Sequence, residues 1–243
     1  MRFRATLLLI GCCLAAAASA QHGAELDHAN NDVSDVASLQ RGAGYFVNYC
    51  LGCHSAQYVR YNTLAEDLQL SESQLMENLM FTGERPFDTM SIAMDPEDAA
   101  RWFGTAPPDL SLIARSRGTD YVYTFLNSFY VDESSPTGVD NMVLEGTAMP
   151  HVLWELQGVQ EAHYEEDPAH EGEEHMVLEL AEPGMLSEEE YHDVVRDIVN
   201  FLDYISEPMQ LERQRLGVRV IGFLLVLLLI SYMLKKEIWR DVD

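Results

Sequence analysis

The stretch Cys50-Leu51-Gly52-Cys53-His54 decides how the rest of this chain is read. Two thiols three positions apart can add across the two vinyl groups of a porphyrin, and the imidazole of the next residue can ligate its iron. Cys-x-x-Cys-His is thus the attachment sequence of a c-type haem. The spacing is demanding, because both sulfurs must reach one porphyrin edge while His54 turns beneath its face. Cys-x-x-Cys also serves redox dithiols and halves of zinc sites. A dithiol enzyme has no use for the adjacent histidine, and a closed zinc site needs a second ligand pair that the sequence does not supply.

Working outward, both ends of the 243-residue chain read as address and anchor. Residues 1–20 have the pattern of a signal peptide: Arg2 and Arg4, then an apolar run through Leu7–Ile10 and the alanines, then Ala18-Ser19-Ala20 before Gln21. Leu9-Ile10-Gly11-Cys12 resembles a lipid-attachment site, but that reading leaves only a short apolar core upstream. Cleavage after Ala20 removes Cys12 and Cys13, so only the haem-binding pair remains and no structural disulfide is expected. At the other end, residues 216–234 approach the ~20 residues that span a bilayer. Arg219 sits where its stem can snorkel outward. Lys235, Lys236 and Arg240 follow, so the positive-inside bias puts the C-terminus in the cytoplasm. The expected organisation is a signal peptide at 1–20, a periplasmic haem domain at 21–208, and a juxtamembrane segment, transmembrane helix and short cytoplasmic tail at 209–243. This topology belongs to a bacterial inner (cytoplasmic) membrane protein.

The formal net charge of −25 becomes about −27 once Arg2 and Arg4 leave with the signal. Such a balance excludes nucleic acid as a partner and favours a basic one. Acidic residues concentrate between Glu155 and Asp193, including Glu165-Glu166-Asp167, Glu173-Glu174 and Glu188-Glu189-Glu190. Runs of this kind are usually solvated surface, yet their summed field steers a small basic carrier toward the domain.

Within the haem domain, Leu39, Ala43, Phe46 and Cys50 recur at helical spacing and predict a helix leading into the motif. Gly42 and Gly44 disfavour that helix by propensity but allow another helix to approach closely. A second pattern begins at the capping box Ser187/Glu190 and runs through Tyr191, Val194, Val195, Ile198, Leu202 and Ile205 to a stop at Pro208. Between them, helices are expected near 71–80 and 120–129, with turns at Pro86 and Pro107-Pro108. The stretch Gln160–Gly184 stays unassigned. The fold expected is mainly α: a haem domain similar to the class I cytochrome c fold, in which the first and last helices cross beside the haem, with a single C-terminal transmembrane helix.

A second axial ligand determines whether such a protein carries electrons or binds small ligands, and a thioether there raises the reduction potential. Methionine is by default a gap-filling core residue, and Met76 and Met80, four apart on a helical pattern, read as core. Met90, Met94, Met142, Met176, Met185 and Met209 have no distinguishing context. Met149 differs because Pro150 follows it and biases it to extended geometry, which suits a loop presenting its side chain to the haem. His151 would compete with Met149 two residues away and reads better as a loop histidine.

Several motifs then carry a specific resemblance. Arg41-Gly42, Cys50–His54 with Ser55, Tyr61, Ala106-Pro107-Pro108-Asp109-Leu110-Ser111, Arg115 with Asp120-Tyr121-Val122, Met149-Pro150 and Glu207-Pro208 before a final apolar span together resemble the cytochrome c1 family. That family is the haem-bearing subunit of the ubiquinol–cytochrome c oxidoreductase (bc1) complex. The resemblance implies that Cys50 and Cys53 hold one covalent haem, that His54 and Met149 ligate its iron, and that Pro108 and Tyr121 line the pocket. It also implies that Arg115 neutralises a propionate, although Arg117 stands close by and Arg115 could equally form a surface salt bridge. Cytochrome b, a Rieske iron–sulfur subunit and a soluble, basic c-type cytochrome are the implied partners, in a dimeric complex.

The function expected is one-electron relay from the iron–sulfur subunit to the soluble cytochrome. The chain alone makes and breaks no substrate bonds; the haem supplies the redox chemistry and the protein sets geometry and potential. The alternative is a membrane-anchored c-type cytochrome of another respiratory complex, an oxidase or a dehydrogenase. A haem peroxidase or gas sensor forms a third class and requires an open sixth position.

Overall fold

The computed structural model describes residues 25–166 and 174–240. The expected signal peptide at 1–20, with Cys12 and Cys13, lies outside them, as do Asp167, Glu173 and the last three residues. In chain order the first half contains α1 (Val36–Tyr45), β1 (Ala56–Arg60), α2 (Tyr61–Asp67), α3 (Glu72–Asn78), β2 (Thr89–Met90) and α4 (Pro96–Phe103). There follow α5 (Ile113–Arg117), α6 (Thr119–Asn127), β3 (Phe129–Val131), β4 (Val139–Asn141) and α7 (Trp154–Gln157). The chain then forms β5 (Gly158–Glu166), β6 (Glu174–Pro183), α8 (Glu188–Ser206) and α9 (Gln210–Ile238).

Helix α1 starts where Asp35 caps it, its carboxylate accepting from the amides of Ala37 at 3.0 Å and Ser38 at 3.1 Å. It then widens into a π-turn over Phe46–Cys50, closed by the Leu51 amide on the Phe46 carbonyl at 2.9 Å. Such turns recur at functional sites, and this one delivers both cysteines. The Ser187/Glu190 capping box begins α8, and its predicted stripe from Tyr191 to Ile205 is buried. The two helices meet at Gly42, where a Cβ would lie 2.0 Å from the Asp197 carbonyl oxygen. Only glycine permits that approach, and it lets Phe46 reach Phe201, with ring centroids 5.4 Å apart. A polar seam fixes the crossing. The buried Asp197 carboxylate accepts from Arg41 at 2.6 and 2.8 Å and from Ser38 Oγ at 2.6 Å, while Asn200 Nδ2 donates to Ser38 Oγ at 2.9 Å.

The middle follows the expected outline with shifted edges. Helix α3 carries a Ser71/Gln74 capping box and ends at Asn78. Met80 is buried beyond it, whereas Met76 is 47% exposed, which corrects its reading as core: the helix is too short for both residues to share one inward face. Helix α6 stops at Asn127, and Phe129 opens β3 instead of extending the helix. The strands form three two-stranded antiparallel pairs, β1–β2, β3–β4 and β5–β6.

The last of these pairs is the acidic stretch that the sequence left unassigned. Its register alternates in character: Glu161 opposite Glu179 and Glu165 opposite His175 share one face, and Ala162 opposite Leu178 and Tyr164 opposite Met176 share the other. At its root Gln160 Nε2 donates to the carbonyls of Asn127 at 2.9 Å and Phe129 at 2.8 Å, tying the hairpin to the end of α6 and the start of β3.

Helix α9 is longer than the expected span, with 29 residues and roughly 44 Å at 1.5 Å per residue. Among the described residues it is the one helix long and apolar enough to cross a membrane, and none of its residues is buried against the domain. Between residues 220 and 234 it is apolar on every side apart from Ser231 and Tyr232, which fits a membrane anchor.

Candidate haem site

The cavity that matters lies where the π-turn, the segment after α4, helices α5, α6 and α8, and the loop before α7 converge. Its volume is about 420 Å³, in the range of cofactor sites. Cys50, Cys53, His54, Pro108, Tyr121 and Met149, six of the seven residues singled out in the sequence, all line it. Ile198 and Leu202 of α8, with Phe125 of α6, supply apolar wall. Pro150 and Val152 line it beside Met149.

His54 is oriented by backbone. Its Nδ1–H donates to the Pro108 carbonyl at 2.8 Å; a carbonyl only accepts, so Nδ1 carries the proton and Nε2 keeps its lone pair for a metal. The carbonyl in turn is held by a seam between residues 55–58 and 109–111. The Leu110 amide donates to the Ser55 carbonyl at 2.8 Å, the Gln57 amide to Asp109 Oδ2 at 2.9 Å, and the Tyr58 amide to Ser111 Oγ at 3.1 Å. The Pro-Asp-Leu-Ser run thereby acquires a physical purpose that its sequence did not announce. Burial pushes the His54 imidazole below its ordinary value against the opposing pull of the Pro108 carbonyl and Asp109, favouring the neutral ring.

Cys50 and Cys53 form no disulfide. Loss of hydration, with a smaller contribution from Cys53, pushes the Cys50 thiol up to about 12. A desolvated thiol at Cys50 with Cys53 three positions on, a neutral imidazole and a largely apolar wall match the donor set and dry surface that a covalently held porphyrin requires.

The seventh residue departs from expectation. Arg115 is not on the cavity wall; its guanidinium pairs with Glu207 at 3.2 Å, and Glu207 also pairs with Arg213 at the start of α9. Hydrogen bonding from Arg213, aided by Arg115, holds the Glu207 carboxyl below the usual range. Arg117 instead lines the cavity, its guanidinium carbon 5.3 Å from the centre of the Tyr121 ring. Among the described residues lining the cavity it carries the only fixed charge. Two residues on a helical turn point in different directions, which spacing alone could not sort.

His151 lies off the wall, 9% exposed and stacked on Phe129 with centroids 4.9 Å apart. Burial lowers it to about 4, with Gln157 opposing, so a neutral ring packs beneath the loop.

Comparison with known proteins agrees with this geometry. The model of the Cytochrome C1 family matches residues 28–242. The chain is 51% identical to cytochrome c1 of Allochromatium vinosum over 97% of its own length and 96% of the relative's. It is 43% identical to a protein of Nitrosomonas europaea named ammonia monooxygenase gamma subunit, over 97% of each chain. Against the mitochondrial cytochrome c1 haem protein of Saccharomyces cerevisiae identity is 29%, over 86% of this chain and 68% of the relative. With the motif, the cavity and the C-terminal apolar helix all inside the matched region, the chain belongs to the Cytochrome C1 family.

Proposed function

We propose that Cys50 and Cys53 would hold the haem through two thioether links, that His54 Nε2 and the Met149 sulfur would ligate its iron, and that Pro108 and Tyr121 would line its pocket. Arg117, in place of Arg115, neutralises a propionate. The observation that carries this reading is the convergence of the Cys-x-x-Cys-His turn and the Met149-Pro150 loop on one apolar cavity.

As a member of its family the chain is a haem electron carrier of the bc1 complex, holding a covalent c-type haem. The haem supplies a one-electron couple when bound. The residues supply the rest. The Pro108 carbonyl fixes the His54 tautomer, the thioether of Met149 favours a raised potential, and the apolar walls from α6 and α8 exclude water.

Cytochrome b and the Rieske subunit are the partners in the membrane in this proposal, and a soluble basic cytochrome accepts the electron. The haem domain faces the periplasm, with Lys235 and Lys236 at the cytoplasmic end of α9. The arrangement follows the sign of the charge and the position of the anchor.

Replacing Met149 with Leu in the haem-loaded membrane protein tests the ligand assignment. The expected protein keeps its covalent haem, titrates at a lower potential and binds carbon monoxide when reduced. An unchanged potential without carbon monoxide binding would transfer the axial role to another residue. Co-purification with a b-type cytochrome and a [2Fe–2S] protein tests the partners.

A further inference from the structure

The loop that carries Met149 has no regular structure between β4 and α7, so its amides need partners from outside a helix or ladder. Many of those partners come from two adjacent side chains at the end of β4. Asp140 is 6% exposed, paired in register with Tyr130. Its Oδ1 accepts from the amides of Asn141 at 2.8 Å, Gly146 at 2.8 Å and Thr147 at 3.2 Å, and its Oδ2 accepts again from Gly146 at 3.0 Å. Asn141, 1% exposed, accepts the Val143 amide at 2.9 Å and the Leu144 amide at 3.2 Å, and its Nδ2 donates to the Phe125 carbonyl at 2.8 Å.

A carboxylate taken out of water is costly unless its lone pairs are satisfied, and charge-assisted bonds from amides are among the stronger ones available. Apart from the bond from the adjacent Asn141 amide, the bonds that Asp140 accepts all come from the loop and none from the strand partner. They gather Gly146 and Thr147 onto Asp140, and Gly146 turns there with φ +71°, a conformation that glycine adopts without strain. Leu144, Gly146, Thr147, Ala148 and Met149 all line the cavity, and the Met149 amide reaches back to Thr147 Oγ1 at 3.4 Å. The chain of contacts therefore runs from one buried carboxylate to the residue proposed as the second iron ligand.

We propose that Asp140 is a positioning residue for the electron-transfer centre, its carboxylate folding the Gly146–Thr147 turn so that Met149 is held on the cavity wall. This rests on the reading of Met149 as axial ligand, and the test separates the two. Haem-loaded wild type, Asp140→Ala, Asp140→Asn and Met149→Leu are compared by redox titration, by the weak red absorption band of thioether-ligated ferric haem, and by carbon monoxide binding to the reduced protein. In D140A the covalent haem remains, the red band weakens, a fraction of molecules gains carbon monoxide binding and the potential shifts part of the way to that of M149L. D140N keeps one carbonyl acceptor and falls between D140A and wild type; it decides the question by the same readouts if D140A yields no haem-loaded protein. Wild-type band, potential and carbon monoxide exclusion in the D140 variants, with M149L losing the band, would reduce Asp140 to a structural residue. A red band that persists in M149L would overturn the ligand reading itself, and the role of Asp140 with it.

Discussion

His54 and Pro108 are joined by a 2.8 Å hydrogen bond from the imidazole Nδ1–H to the main-chain carbonyl, across 54 residues of sequence. An imidazole that donates to a carbonyl is a more basic ligand through its other nitrogen, and a more basic ligand stabilises the oxidised metal. The bond cannot be removed at Pro108, because its acceptor is backbone. It can be loosened through Asp109, whose Oδ2 accepts the Gln57 amide at 2.9 Å and whose Oδ1 accepts the Ser111 amide at 2.9 Å. Asp109→Ala is expected to raise the reduction potential by on the order of tens of millivolts, with 59 mV equal to a tenfold change for one electron. Loss of the carboxylate's negative charge acts in the same direction, and redox titration at fixed ionic strength checks the sign; an unchanged or lower potential would show that the Pro108 carbonyl keeps its hold on His54 without Asp109.

A second prediction concerns the crossing of α1 and α8. A methyl group at position 42 would enter the Asp197 backbone, which cannot swing aside as a side-chain tip can. Overpacking a well-filled site costs typically ~1–3 kcal/mol, and a backbone clash belongs at or above the upper end. Gly42→Ala is expected to lower the midpoint of thermal unfolding of the haem-loaded protein. Gly44→Ala, with open space at its Cβ, is expected to leave it unchanged or slightly raised. Equal midpoints for the two variants would show that the helices can part without loss.

These two cases also show what sequence could and could not convey. The motif at Cys50–His54, the capping box at Ser187 and the apolar stripe of α8 are local patterns, and each appears in the fold where the spacing put it. Gly42 could be read as a close-approach site because its low helix propensity in a helical pattern demands compensation. Arg115 and Arg117 could not be sorted, because their directions depend on where a five-residue helix sits relative to α6 and Glu207. Asp109, Ser111 and Asp140 bind backbone amides, so nothing about their neighbours in sequence distinguishes them from exposed polar residues. The hairpin of β5 and β6 is harder to read for another reason: polar and apolar residues alternate only briefly, over Glu161–Glu165, while Met176, Val177 and Leu178 run together on the other strand.

Arg117 and Arg115 make a matched pair for a third prediction. A cation beside the haem disfavours the more positive oxidised state, so removing it should lower the potential. Arg117→Gln is therefore expected to lower the reduction potential by on the order of tens of millivolts. Arg115→Gln is expected to leave the potential nearly unchanged, since that guanidinium is engaged with Glu207. Parallel titrations of the two variants provide the check. A larger shift in R115Q than in R117Q would return the propionate to Arg115.

The last prediction follows from the acidic face of the β5–β6 hairpin. Glu161 and Glu179 stand opposite each other and Glu165 stands four residues along on the same face; all three are exposed, with His163 3.6 Å from Glu179 and His175 opposite Glu165 on that face. Like charges directly opposed across a hairpin weaken it, so their presence needs a reason beyond folding. Steering of the proposed basic cytochrome supplies one, because rim charges act mainly on the encounter rate. The rate of electron transfer to such a partner should fall as salt rises, the Debye length being only about 8 Å at physiological ionic strength. Changing Glu161, Glu165 and Glu179 together to Gln should lower the second-order rate at low salt severalfold and flatten its salt dependence, while the reduction potential stays within a few millivolts of wild type. The hairpin itself should become no less stable, since the opposed charges are gone. Stopped-flow rates across a salt series, for both proteins against the same basic cytochrome, separate the outcomes. Coincident curves would make this face solvated surface, and a flat wild-type curve would dispose of electrostatic steering by any part of the domain.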